Sequence, residues 1–216
     1  MARSSESPVA PRVSVPDIPP RLSDAAAARS ADLLDARLDV SGNVDLTYAS
    51  LERCVITADA DGIDLIGATI LDVDIPDIRV PSLSLRNAGI RRLRVSGGRI
   101  GTLDLSSARI DELELRDVRV DYLNLGGAKG TDLQFTGCTI RTLDMPQAQL
   151  TRVRFDDCRS DEVDSRGLQA TDVDLRGLDA VAFVDANGLR GTTLTTFQVQ
   201  QLAPTLAVGV GIQVKD

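Results

Sequence analysis

The side chains of this chain best suited to nucleophilic or metal chemistry are its three cysteines. They are Cys54, Cys138 and Cys158, and the last two lie twenty residues apart. A thiolate needs a neighbouring base to act as a nucleophile, or further ligands to hold a metal. The 216 residues include no histidine, so the commonest general base and the commonest neutral metal ligand are both missing. We therefore predict no enzyme activity, no metal site and no cofactor.

Charged side chains form the second pattern, because they recur at multiples of twenty residues. The acidic stripe comprises Asp64, Asp104, Asp144 and Asp164, with Ser84 and Asn124 in the same series. The basic stripe comprises Arg79, Arg99, Arg119 and Arg159. Three interpretations of the acidic stripe are open: solubility, contact with a protein partner, and a carboxylate site for Ca²⁺ without a dedicated loop. The net charge of −8 disfavours direct binding to nucleic acid.

A five-residue repeat positions these residues, and it is most regular between residues 61 and 180. Leu103 and Leu105 are followed by Ala108 and Ile110, and this alternation of spacings continues along the chain. Apolar residues two apart lie on the same side of an extended chain, and the Gly, Ser and Asp residues between them favour turns. The inward positions that lack an apolar side chain are Gly98, Gly130, Ser160 and Ser165. Repetition of a short extended step and a corner predicts a solenoid.

The repeat resembles that of pentapeptide-repeat proteins. The clearest matches are 31–35 and 36–40, with 138–140 and 173–177 as others, and the resemblance covers about residues 31–185. Residues 202–207 also resemble the C-terminal cap of an actinobacterial type within that family. The resemblance implies an all-β fold, a right-handed quadrilateral β-helix of about seven coils, with a C-terminal helical cap. Each coil would contain four units and twenty residues.

A twenty-residue coil stacks residues that are twenty apart. Phe135 and Phe155 should stack in the core, and neighbouring chains should fill the space beside Gly130. Cys138 and Cys158 should also be neighbours in one column. Parallel stacked side chains have poor disulfide geometry, so we expect buried free thiols. An outward residue such as Asp104 is expected to tolerate alanine with almost no loss of stability.

Composition divides the chain into three parts. Residues 1–28 are a tail rich in Pro, Ser and Ala, interpreted as mobile, as a strand along the first coil, or as a proline motif for a partner. Residues 29–185 are the β-helix, and residues 186–216 are the helical cap. The tail lacks the apolar core of a secretory signal, and no apolar run is long enough to span a membrane. These features predict a cytoplasmic protein with no membrane contact.

Two interruptions and the cap complete the expected structure. The repeat changes phase at 40–43 and at 57–62, which predicts small loops that bulge from corners. Thr195 or Thr196 should cap a helix, and Pro204 should break it or start a second one. The candidate cap or dimer contacts are Phe197, Leu202, Leu206 and Val210. One face should cover the last coil and the surplus should pair with a second copy, giving a possible homodimer.

The repeat carries no catalytic constellation, and the predicted function is a non-enzymatic protein-interaction scaffold whose partner is unknown. The alternative comes from the resemblance to quinolone-resistance pentapeptide-repeat proteins. It is a DNA-mimic modulator or inhibitor of DNA gyrase, which would make a type II topoisomerase the partner. In that case the acidic stripe would imitate the spaced phosphates of duplex DNA.

Overall fold

The computed structural model describes residues 7–215, which form a parallel β-solenoid of about eight turns followed by a C-terminal helix. The expected all-β repeat fold with a helical cap is confirmed, with about eight turns instead of seven. The rod, as we call the solenoid, is formed by one continuous set of paired strands. Each strand pairs in parallel with a strand of the next turn.

Most strands of the rod are short and are separated by corners. Two strands of sixteen residues continue through corners, because the backbone pairing is unbroken there. The strands are Ser23–Asp24 (β1), Asp32–Leu34 (β2), Ala36–Val40 (β3), Asn43–Asp45 (β4), Ser50–Ala58 (β5), Gly62–Asp64 (β6), Thr69–Ser84 (β7), Gly89–Asp104 (β8), Arg109–Ile110 (β9), Leu113–Arg116 (β10), Arg119–Asn124 (β11), Lys129–Thr136 (β12), Thr139–Asp144 (β13), Gln149–Asp156 (β14), Cys158–Asp164 (β15), Gln169–Asp174 (β16), Leu178–Phe183 (β17) and Thr192–Thr193 (β18). A short 3-10 helix at Asn187–Leu189 precedes the single α-helix of the described residues, Thr196–Gly209 (α1).

The register is twenty residues per turn through most of the rod. Thr69 pairs with Gly89, and the same spacing continues to the pairing of β14 with β16. The first turns are shorter, because Asp32 pairs with Ser50 and Ser50 pairs with Thr69. These turns contain eighteen and nineteen residues.

The predicted loops at 40–43 and 57–62 are therefore wrong: the corners there are shortened and carry no insertion. Eight residues separate the inward Leu38 from the inward Leu46, where two full repeats would need ten. Val40, Ala58 and Ala60 are buried within these corners. A corner that closes with one or two residues fewer shifts the phase of the repeat just as an inserted loop does.

The core is a narrow column of aliphatic side chains with one aromatic stack. Phe135 and Phe155 are both buried, and their rings lie 4.5 Å apart between centroids with an angle of 6° between their planes. Their inward placement and stacking were predicted and are confirmed. Parallel strands about 4.8 Å apart bring side chains one turn apart into direct contact, so the core is a set of ladders.

The four exceptions to the apolar pattern have separate explanations. The space beside Gly130 is filled by Leu133 and Leu150, whose methyl carbons lie within 3.0 Å of the position that a Cβ would take. The hydroxyl of Ser160 donates to the carbonyl of Glu162, and the hydroxyl of Ser165 donates to the carbonyl of Asp185. These bonds satisfy the two buried hydroxyls, as burial requires.

The inward position 98 is occupied by glycine because the backbone there leaves no room for a side chain. Its φ is +95°, and a Cβ there would lie 2.0 Å from the carbonyl oxygen of Ile78 in the preceding turn. Both the conformation and the contact with backbone require glycine.

We expect Gly98→Ala to lower the free energy of unfolding by more than about 2 kcal/mol, because the preceding turn must move to admit the methyl group. Gly89 is the matched control, since it lies in the same strand β8, has no positive φ and has open space around its Cβ position. Gly89→Ala should change stability by less than about 1 kcal/mol. Chemical denaturation of the two variants tests this expectation, and equal losses of stability would contradict the backbone conformation assigned to Gly98.

The C-terminal end of the rod is covered by α1. Thr195 caps the helix: its hydroxyl accepts from the backbone of Gln198, whose side chain accepts from the backbone of Thr195. The side chain of Gln198 also donates to the carbonyls of Leu175 and Leu178, which would otherwise be open at the last turn. This helix therefore binds the exposed sheet edge through a side chain as well as through apolar contact.

Pro204 lies inside α1, and the predicted break there is wrong because the helix continues to Gly209. The proline leaves the carbonyl of Gln200 without its helical partner. Both residues are exposed, so water can bind that carbonyl, and the helix loses one hydrogen bond without ending.

The N-terminal residues contact the rod along most of its length. The arm, residues 8–20, donates backbone hydrogen bonds to carboxylates from Asp172 back to Asp72. It therefore extends far beyond the first coil, where one interpretation had placed it. Next, β1 pairs with β3 and begins the rod. The division into residues 1–28, 29–185 and 186–216 stays a prediction, and residues 1–6 and 216 lie outside the described part of the chain.

Candidate functional site

The predicted acidic stripe is a continuous column in the structure. Asp64 pairs with Ser84, and Ser84 with Asp104. The column continues in register through Asn124 to Asp144 and Asp164. The twenty-residue spacing therefore brings the four carboxylates onto one side of the rod, as the sequence indicated.

These carboxylates hold the corners of the rod. The Oδ1 atoms of Asp64, Asp104 and Asp164 each accept from the backbone amide two residues later, at 2.9 to 3.0 Å. An aspartate that bonds forward in this way closes an Asx-turn. Asp104 also accepts from the side chain of Asn124 at 3.2 Å. Replacement of Asp104 by alanine therefore removes two bonds, and the expectation that it would be almost neutral is withdrawn.

Asp164 is the most strongly held member of the stripe. Its carboxylate forms an ion pair with the guanidinium of Arg166, with 2.5 Å between Oδ2 and Nη2, and the aspartate is buried. Hydrogen bonding to Arg166 lowers the pKa of Asp164 from its ordinary value, although burial opposes the shift. Much of the negative charge at this position is therefore compensated within the rod.

Asp144 accepts a hydrogen bond from the hydroxyl of Tyr122, with 2.6 Å between the oxygens. This bond, burial and the charges of the stripe together raise the pKa of Tyr122 to about 12. The pKa is raised in the folded state, so the contact stabilises the fold at neutral pH. That stabilisation is lost as the pH rises through about 12.

An ultraviolet difference titration tests the bond between Tyr122 and Asp144. The phenolate signal that disappears in Tyr122→Phe should titrate near pH 12 in the native protein. In Asp144→Asn the same signal should move down towards the ordinary value of 10, because the largest cause of the shift loses its charge. Asp111→Asn, on an exposed aspartate elsewhere, is the control. A tyrosine signal unchanged by Asp144→Asn would contradict the contact.

The basic stripe is more open to solvent than the acidic one. Side chains of Arg79, Arg99 and Arg119 are mostly exposed. Arg99 forms an ion pair with Asp121, with 2.8 Å between Nη2 and Oδ2, whereas the other two contacts are longer. Surface pairs of this kind contribute little to stability. The stripes thus differ in role: aspartates build corners, and arginines face the solvent.

The three cysteines are buried free thiols, as predicted. Burial is the largest cause that raises the pKa of Cys54. The pairing of Thr139 with Arg159, and the bond from the backbone amide of Arg159 to the carbonyl of Cys138, confirm that Cys138 and Cys158 are neighbours in one column. The neighbouring Cys138 and burial together raise the pKa of Cys158. A thiol with a raised pKa is a poor nucleophile at neutral pH. Within residues 7–215, no group of three or more Cys, Asp and Glu side chains converges to hold a metal ion.

The four candidate residues of the cap divide into two pairs. Leu202 is buried at 8% exposure and Leu206 is partly buried, and both pack against the core. Phe197 and Val210 are 66% and 72% exposed. Among the described helices, none is both long enough and apolar enough to cross a bilayer.

An open groove separates α1 from the last turn of the rod, with a volume of about 670 Å³. Its apolar side is formed by Leu178, Phe183 and Leu202, and charged groups such as Arg159 and Asp179 lie at its margin. The nearby Val181 is 70% exposed. Val181 of β17 and Phe197 of α1 both line the groove, so exposed apolar side chains lie on both of its sides.

Sequence analysis missed a second charged column, which we call the charge ladder. Its acidic members are Asp35, Asp72, Glu112, Asp132 and Asp172. Its basic members are Arg53, Arg92 and Arg152. Charges of both signs at turn-length spacing were present in the sequence, alternating except between Glu112 and Asp132. The shortened first turns, however, displace Asp35 and Arg53 from a strict twenty-residue series.

No protein-family model matches the chain, and no curated protein matches it in sequence. Among solved structures, the chain is similar to two trypsin-treated forms of QnrB1, a plasmid-mediated fluoroquinolone resistance protein. Sequence identities are 14% and 13%, and the matches cover 89% of this chain and 95% and 96% of those chains. The TM-score is 0.29 for both. The assignment of the solenoid fold rests on the strand pairing described above.

Proposed function

We propose that the protein is a non-enzymatic interaction scaffold of the pentapeptide-repeat type, with its partner surface at the C-terminal end. The observation that carries this proposal is the uncovered apolar surface of α1 and the last turn. Phe197 and Val181 both line the groove there and are 66% and 70% exposed, and Val210 at the end of α1 is 72% exposed. Contiguous exposed apolar surface on a folded protein commonly marks an interaction site.

The exposed apolar side chains of α1 support a partner at this end of the rod. Leu202 and Leu206 already cover the core of the last turn, so Phe197 and Val210 are not needed for that purpose. Val199 and Val208 are exposed as well. Apolar residues on both sides of one helix are expected when it lies between two surfaces.

We propose that the occupant is a second copy of the chain, which pairs through the same surface about a two-fold axis. A closed two-fold contact buries the same patch twice and leaves no apolar surface for further growth. The rod would then be doubled in length with the helices at its centre. This homodimer through the C-terminal cap presents the exposed arginines and corner loops of both copies to other proteins.

DNA mimicry against a type II topoisomerase such as gyrase is the alternative. The continuous register of the acidic stripe supports it. The internal bonds of the stripe weigh against it, since Asp104 and Asp164 hold corners and Arg166 compensates the charge of Asp164. The alternative requires inhibition of supercoiling that weakens when Asp104, Asp144 and Asp164 are changed to asparagine. We favour the scaffold, and retain the cytoplasmic location, the absence of a cofactor and the actinobacterial type as predictions.

Light scattering at micromolar concentration tests the dimer. The native chain should have twice the mass of the 23.1 kDa monomer. Phe197→Asp should weaken association at least about tenfold, because a charge in the apolar contact is left without a partner. Leu34→Asp is the matched control, since Leu34 is an exposed leucine in β2, near the start of the rod. A native chain that is monomeric throughout, or equal weakening by both variants, would contradict the proposal.

A further inference from the structure

The charge ladder compensates only part of its own charge. Arg53, Arg92 and Arg152 each form an ion pair with the acidic residue one turn earlier, at 2.7, 3.0 and 2.6 Å. Glu112 and Asp172 form no such pair within the described residues. The carboxylates of the ladder lie one or two turns apart, and those of Glu112 and Asp172 can accept hydrogen bonds from a further donor.

The arm supplies donors to four of the five acidic residues of the ladder. Its backbone amides donate from Val9 to Asp172 at 3.2 Å, from Arg12 to Asp132 at 2.9 Å, from Ser14 to Glu112 at 2.9 Å and from Asp17 to Asp72 at 2.9 Å. The chain direction is opposite to the growth of the rod, so residues near the N terminus meet the last turns. Amide bonds to ionised carboxylates are stronger than bonds between neutral groups.

The dimensions of an extended chain match the spacing of the ladder. Eight steps separate Val9 from Asp17, which is about 25 Å at the rise of about 3.1 Å per residue of polyproline II. Five turns separate Asp172 from Asp72, which is about 24 Å at the strand spacing of about 4.8 Å. Three residues of such a chain also span about 9 Å, close to two turns of the rod.

The prolines of the arm determine which of its backbone amides can donate to the charge ladder. Pro8, Pro11 and Pro16 immediately precede three of the four donors. Proline has no amide hydrogen and favours the extended conformation, so the next residue donates to the ladder. Pro16 is buried against the rod, and Pro8 and Pro11 are half-buried. The spacing of the backbone donors and of the proline rings in the arm therefore matches the spacing of the charge ladder.

We infer that the charge ladder is a binding site for an extended, proline-spaced peptide, and that the arm occupies it as an intramolecular ligand that can be exchanged. Val9 and Val15 are exposed, and most arm side chains face solvent. The contact is therefore mainly backbone to carboxylate, so a separate peptide with the same proline spacing can make it. The inference is independent of the proposed C-terminal dimer.

The test cuts the arm from the full chain after folding. A site-specific protease sequence is inserted between Pro20 and Arg21, the folded protein is cut, and the arm is removed by size exclusion at high salt. Circular dichroism checks that the rod persists. A fluorescent peptide of residues 7–20 is then titrated by anisotropy, beside a scrambled peptide of the same composition. Saturable binding of the native peptide, and clearly weaker binding of the scrambled one, is expected.

Variants of the ladder locate the site. Glu112→Gln with Asp172→Asn should weaken binding at least about tenfold, because both changes discharge acceptors and leave the arginine pairs intact. Asp111→Asn with Asp161→Asn removes the same charge from exposed residues outside the ladder and should leave binding unchanged. Absence of binding at about 100 µM peptide, equal binding of the scrambled peptide, equal effects of both variant pairs, or unfolding of the cut rod would each overturn the inference.

Discussion

The parallel backbone hydrogen bonds between successive turns are the interaction on which the rest of this structure depends. They fix the register at twenty residues from Thr69 to Asp174, and at nineteen in the last turn, where Val173 pairs with Thr192. Each residue is thereby placed directly over its equivalent one turn earlier. The core follows from this constraint, because apolar side chains become ladders, as in the stack of Phe135 on Phe155. The surface follows equally, because each outward position becomes a column. A solenoid leaves an open strand edge at each of its two ends, and here β1 and α1 cover those edges.

The charged columns of this rod form hydrogen bonds and ion pairs within the chain itself. Aspartates of the acidic stripe close corners, as Asp104 does with Ser106, and Asp164 is compensated by Arg166. The charge ladder holds the arm. Stacked like charges repel, so a solenoid that repeats an acidic position must give each carboxylate a donor or an arginine. The apolar surface beside α1 has no such internal explanation, and for this reason we propose that a partner binds there.

The sequence predicted those features that depend on side-chain period. The alternation of spacings two and three was enough to derive the solenoid, the inward residues and the thiol column. It was not enough to distinguish a shortened corner from an inserted loop, since both shift the phase, and only pairing such as Asp32 with Ser50 separates them. The path of the arm could not be predicted from the sequence either, because prolines indicate an extended chain but not which column of the rod that chain contacts. Pro204 was misjudged because an exposed helix can lose one hydrogen bond and continue.

Solution NMR contacts between backbone protons of adjacent turns test the stacking register most directly. The account predicts cross-strand contacts between residues twenty apart from Thr69 to Asp174, nineteen apart between β5 and β7, and eighteen apart between β2 and β5. Ring protons of Phe135 and Phe155 should also be in contact. A uniform twenty-residue register that extends through the first turns would contradict the shortened corners. Absence of contacts at these separations would contradict the solenoid itself.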